Sequence, residues 1–220
     1  MAGERWSRIA ASLALLLASS CATPMGAVNP ELMEAAERRD PLVTSDALEA
    51  LIERGADSPA DREYAYRAIR AEKDDSAAYA FARAAVTGRL VQQRGLRGAR
   101  QVREVERWAL RSQTLDPDFR DGAATRLLGT LYVAAPASFL EHGDSERGVE
   151  MLEQLVQEHP GAVENHLRLA EAYIALSDPE PAAPHLCACL AQRAALRRDD
   201  QQLLDQLLAT AGTPDCESPG

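Results

Sequence analysis

The chain has 220 residues, a net charge of −10, and a composition that is 46% hydrophobic but only 5% aromatic. An acidic chain repels phosphate backbones, which argues against nucleic acid as a partner. This length buries one core or one array of repeats, and many Ala and Leu with few aromatics favour helix over sheet.

Residues 1–20 read as an export signal: Arg5 and Arg8 precede the short apolar run "IAASLALLLA", and small residues follow. The run is far below the roughly 20 residues a spanning helix needs. Ala18-Ser19-Ser20-Cys21 resembles the lipobox of bacterial lipoproteins, with Ala18 where Leu is usual. Cleavage there would leave Cys21 as a lipid anchor, followed by a tether over 21–28. The alternative is an ordinary secretory signal, but the cysteine stands at the one position that matters. Two or three acyl chains anchor a protein stably where one is marginal.

From residue 29 to 211 the punctuation marks helix after helix. Asn29 and Pro30 open a helix that stops before Pro41, and 45–55 ends at Gly55. Ser58, Pro59 and Asp61 open another with the pattern of a capping box. A long Ala-rich helix stops at Gly95, and the next runs from 97 to Asp116-Pro117. Helices follow over 121–136, 144–160 and 161–179. Pro184 delays the next until about its own position, 197–210 closes the fold, and 212–220 is tail. The expectation is all-α, without strands.

A repeat is visible in this series. Leu169, Ala170 and Tyr173, followed by Ala182 and Leu186, fit the tetratricopeptide pattern of paired helices. Leu128, Gly129 and Tyr132 fit the same first-helix positions. Gly148, Leu152, Leu155 and Pro160 fit the second-helix positions if seven extra residues separate the pair. The expected architecture is therefore antiparallel helical pairs stacked as an α-solenoid, a superhelical array in which stacking buries faces that no pair buries alone. First helices of such stacks line a concave groove. That register places Arg126, Thr130, Val133, Leu167, Glu171 and Ile174 there, a mixture suited to an amphipathic ligand or a partner segment.

Little in the chain points to bond chemistry. There is no phosphate-cradling loop, since "RGLRG" lacks the spacing, no nucleophile elbow and no HExxH pair. The four histidines lack a recurring acidic partner, so neither enzyme activity nor a cofactor is expected. Cys187, Cys189 and Cys216 remain downstream of the anchor. In an exported chain Cys216 can pin the tail to one of the other two, with Cys189 and Cys216 as the candidate pair. A metal site of His185, Cys187 and Cys189 is disfavoured, because helix positions two apart diverge by about 200°. Arg97, Arg100, Arg103, Arg107 and Arg111 share one helix face opposite Gly98, Val102, Val105 and Ala109. The face reads as solvated, balanced by Glu104 and Glu106; a ridge docking an acidic partner is the other reading.

Residues 125–176 resemble the TatT family, the T-components associated with TRAP transporters. The resemblance rests on Leu128 to Tyr132 (with Gly129), Ala135-Pro136, Gly143-Asp144, and the "LAEAY" helix from Leu169 to Tyr173. The chain carries His142 where the family shows a second glycine. The resemblance implies a periplasmic lipoprotein of tetratricopeptide-like repeats, held by its N-terminal lipid alone, with the outer membrane as the expected site. It would work beside a TRAP substrate-binding (P) component, bind a small, hydrophobic ligand, form homo-oligomers, and act by binding and scaffolding. The rival expectation is a general tetratricopeptide scaffold of a secretion, pilus or cell-wall assembly.

Overall fold

The computed structural model describes residues 26–216; the expected signal at 1–20 and the expected anchor Cys21 lie outside the described residues. Helices α1 (Pro30–Glu37), α2 (Pro41–Glu53), α3 (Pro59–Ala71), α4 (Ala77–Arg94) and α5 (Ala99–Leu115) come first. α6 (Ala123–Ala134), α7 (Ser145–Glu158), α8 (Val163–Ala175), α9 (Ala183–Ala191) and α10 (Arg198–Ala211) follow. No strand occurs among the described residues, so the fold is all-α.

Local chemistry accounts for most boundaries. Pro30 occupies the first turn of α1, where its missing N–H costs nothing, and the Asn29 side chain accepts from the Glu31 N–H. The expected start of the second helix near Ser45 is four residues late. Asp40 accepts from the N–H groups of Leu42 and Val43 at 2.9 and 3.2 Å, so Pro41 opens α2 directly. At α3 the capping box is complete: Ser58 N–H donates to Asp61 at 2.8 Å and Asp61 N–H to the Ser58 hydroxyl. Asp61 also accepts from the Asn29 N–H at 2.7 Å, which fastens α1 to the start of α3. Between α4 and α5 the chain tightens into a 3-10 turn, Gly95–Gly98.

Successive helices pack on each other, most extensively α4 on α5, α6 on α7 and α8 on α9. The even-numbered helices also touch in series, α2 on α4, α4 on α6, α6 on α8 and α8 on α10; α10 then returns to α2. The even helices thus close a ring, with α3, α5, α7 and α9 against its outside. Apolar clusters fill the space between the layers. One joins Leu32, Leu48, Leu51 and Ile69 of α1–α3 to Val86 of α4; another joins Leu167, Leu186 and Leu204 of α8, α9 and α10.

α6 and α7 approach each other closely. A Cβ on Gly129 would stand 2.6 Å from Leu152 Cγ and 3.0 Å from the Gly148 carbonyl oxygen, and one on Gly148 would stand 2.8 Å from the Gly129 carbonyl. Two facing glycines let the backbones meet, and Leu128, Tyr132 and Leu152 bury themselves around that contact.

Candidate functional site

The seven-residue surplus after α6 is built around a buried carboxylate on another helix. Ala135 and Pro136 end α6, and a 3-10 turn, Ala137–Phe139, follows. The chain then passes over α5, where Glu106 (1% exposed) accepts from the backbone N–H groups of Glu141 and His142, both at 2.8 Å. Gly143 lies on the Tyr132 ring so closely that a Cβ would stand 2.3 Å from its nearest carbon. Burial, and then the neighbouring Glu106 charge, push the Tyr132 phenol up to about 12. Asp144 caps α7 by accepting from the Arg147 N–H at 3.0 Å. The five motif residues Gly129, Tyr132, Pro136, Gly143 and Asp144 therefore belong to one unit. Glu106 is its centre, and it is not part of a solvated balance for the arginine face.

The ring of even helices surrounds a cavity of about 950 Å3, at the upper end of the roughly 300–1,000 Å3 typical of small-molecule sites. Its walls have two characters. Phe81, Val91, Leu127, Leu131, Ala134 and Phe139 form an apolar side. Glu49, Arg89, Arg168, Arg197 and Asp200 form an ionic side, from α2, α4, α8, and α10 with the residue before it.

The ionic side closes the ring. Glu49 accepts from Arg89 Nε at 2.7 Å and from Arg197 Nη1 at 2.7 Å, a link between residues 148 apart in the chain. Arg89 also meets Asp199 at 3.3 Å, and Arg168 joins α8 to the buried Asp200 at 2.5 Å. Burial works to raise the Glu49 pKa, but Arg89 and Arg197 outweigh it and hold it below its ordinary value. Burial likewise opposes the charge of Arg89, and its carboxylate partners hold its pKa above the usual one. Farther along the wall Arg120 grips Asp46 with two bonds of 2.7 Å. Arg120 and Asp121, at φ 51° and 54°, take the left-handed conformation unusual for residues other than glycine.

Three of the six expected groove residues line this cavity: Arg126, Thr130 and Glu171. The other three do not. Leu167 is fully buried between α8, α9 and α10, and Ile174 packs against the same cluster. Val133 turns away to α7, packing with Leu152 and Leu169. On α8 the cavity-facing row is Glu164, Arg168 and Glu171, spaced four and three residues apart. The apolar positions of that helix fill the seam with its neighbours, because burial rewards them there.

The disulfide joins Cys187 to Cys216, with Cα atoms 5.5 Å apart, and not Cys189 to Cys216. Cys189 points into the α8–α9–α10 core and is fully buried, its thiol directed at the Val163 carbonyl. Cys187, on the other side of α9, is the one the tail can reach. Burial pushes the Cys189 thiol up to about 12, so it stays protonated and unreactive.

Gly98, Val102, Val105 and Ala109 face inward, while Arg97 of the 3-10 turn and Arg100, Arg103, Arg107 and Arg111 of α5 face out. Arg103 reaches Glu141 only at 3.7 Å and Arg111 reaches Asp75 at 3.9 Å, while Glu104 bonds Arg83 at 2.6 Å and Tyr66 at 2.8 Å. His159 does have an acidic neighbour, Asp118 at 3.4 Å. His166 and His185 meet through their Nδ1 atoms at 3.0 Å, and His166 Nε2 lies 2.9 Å from the Pro160 carbonyl. Since a carbonyl only accepts, His166 carries its proton on Nε2 and His185 donates from Nδ1. Burial, and then His166, lower the pKa of His185.

Among the described residues no group of three or more His, Cys, Asp or Glu is placed to hold a metal, and no helix is long and apolar enough to cross a membrane. No protein-family model matches the chain, and no curated protein is significantly similar to it. The ion network was not legible in the sequence, since the helices it joins bring together residues 32 to 148 positions apart. Glu106 did leave a signal: it stands four residues after Val102 and three before Ala109, on the packed face of its helix.

Proposed function

We propose that this chain is an exported, lipid-anchored binding protein of tetratricopeptide-like helical pairs, acting without bond chemistry as the accessory ligand-binding component of a TRAP-type transport system. The observation that carries the reading is the amphipathic cavity inside the helix ring, apolar along α4 and α6 and ionic along α2, α8 and α10. Such a site holds a small molecule by its apolar body and orients it by a few polar groups. The repeat assignment is supported by the equivalence of the α6–α7 and α8–α9 pairs. Gly129 meets Gly148 and Leu152 in the first, and Ala170 packs with Ala182 and Leu186 in the second. The TRAP assignment rests on the TatT-like residues, whose surplus segment has a specific anchor in Glu106. Contact between α10 and α2 brings the two ends of the helix series together, which favours a small ligand over a peptide laid along an open-ended groove.

The test is crosslinking followed by pull-down of the full chain from native membranes. Recovery of a TRAP substrate-binding protein supports the reading. Its consistent absence, with secretion, pilus or cell-wall proteins recovered instead, overturns it in favour of a general envelope scaffold.

A further inference from the structure

Arg126 differs from every other arginine lining the cavity. Arg89, Arg120, Arg168 and Arg197 each have a carboxylate at 3.3 Å or less. Arg126 has no carboxylate within 4 Å among the described residues. Its Nη1 donates to two neutral acceptors, the Asn165 side-chain oxygen at 2.5 Å and, at 3.5 Å, the Asp121 carbonyl. Nε and Nη2 make no hydrogen bond to the described residues, which leaves donors of the guanidinium fork without a protein acceptor.

The side chain is nevertheless held in place. Asn165 is fully buried and is itself fixed by donating to the Asp121 carbonyl at 3.3 Å. Burial lowers the Arg126 pKa, and Glu164, Asp200 and Asp121 attract it only from beyond ion-pair distance, with Arg168 opposing. Its neighbours Arg89, Arg120 and Arg197 show the reverse balance, each raised by its carboxylates. A positioned cation with an incomplete set of acceptors beside an apolar wall is the arrangement that takes an anionic head group.

We infer that Arg126 is the head-group anchor of this cavity, and that its ligand is a carboxylate carrying an apolar chain or ring. The apolar body lies against Phe81, Leu127, Leu131 and Phe139. A single negative charge is specified because Glu53 and Glu164 also line the cavity, with no cation of the described residues within 4 Å. A doubly charged head would meet more repulsion from them than a single one. This inference rests on the ligand-binding reading above and names the chemistry of that ligand.

The test is isothermal titration of the full chain with decanoate and, separately, with decanol. Decanoate is expected to bind once per chain and more tightly than decanol. Arg126→Gln should weaken decanoate at least tenfold while changing decanol less than twofold, with Arg126→Lys intermediate. Equal binding of the two probes, or equal loss of both in Arg126→Gln, overturns the head-group inference and leaves the cavity reading standing. Failure of both probes to bind overturns the two together. If Arg126→Gln loses helical circular dichroism, the wild type decides alone: decyltrimethylammonium binding as tightly as decanoate overturns the inference.

Discussion

Replacing Glu106 by Ala removes the acceptor that holds the segment from Pro136 to Asp144 against α5. Two backbone N–H groups, at Glu141 and His142, each lose a 2.8 Å bond to a carboxylate. Hydrogen bonds to charged groups contribute about 1.5–3 kcal/mol each, so the pair accounts for about 3–6 kcal/mol. The site is buried, so water replaces those bonds only if the segment lifts away. For a chain of this size each kcal/mol moves Tm by about 2–4 °C, which puts the fall on the order of 10 °C. Glu106→Gln keeps one acceptor oxygen and should lose about half as much. Thermal unfolding by circular dichroism reads the first effect. Hydrogen exchange reads its cause, since the Glu141 and His142 amides should lose protection before those of α5 do. A Glu106→Ala chain melting within 2 °C of wild type, with both amides still protected, would refute the reasoning (threshold set from the scatter of surface substitutions, about 0.5 kcal/mol).

Gly129→Ala drives a methyl to 2.6 Å from Leu152 Cγ and 3.0 Å from a backbone oxygen; urea unfolding should show a loss of about 1–3 kcal/mol, and an unchanged midpoint would contradict the close contact. Cys187→Ser should abolish the disulfide and free the tail, while Cys189→Ser leaves it intact, as peptide mapping without reduction will show. Arg100→Ala and Arg107→Ala, on the exposed face of α5, should leave the urea midpoint within about 0.5 kcal/mol of wild type. The pKa of His185 is lowered on folding, so its contribution is complete above the unfolded value near 6.5 and is lost as pH falls toward the folded value. Urea midpoints should therefore decline below about pH 6.5, and His185→Asn should flatten that decline; an equal slope in both chains would remove the histidine pair as its source.

Helix after helix was readable because the signals are local. Asn29-Pro30, Ser58-Pro59-Asp61 and Pro184 act within one turn of their own positions, and the Leu128–Gly129–Tyr132 spacing reports a face of one helix. The start of α2 was misplaced because Pro41 reads equally as the end of one helix and the first turn of the next, and Asp40 decides between them only through its capping bonds. The groove was half legible. Arg126, Thr130 and Glu171 line the cavity, but Leu167 and Ile174 face the α9–α10 seam, a distinction that depends on where α10 docks. Ring closure by Glu49 and Arg197 joins residues 148 positions apart, and no periodicity links them. The choice of Cys187 over Cys189 likewise turns on which side of α9 faces the core.

The central claim is that the ring encloses a binding cavity. Irradiation of the full chain with a diazirine-bearing decanoate, followed by peptide mapping, tests it most directly. The account predicts one label per chain on α4 and α6, between residues 81 and 92 or 127 and 134, and its loss when excess decanoate competes. Labels falling instead on the outer helices α7 and α9, or spread with exposed apolar surface and indifferent to competitor, would contradict it.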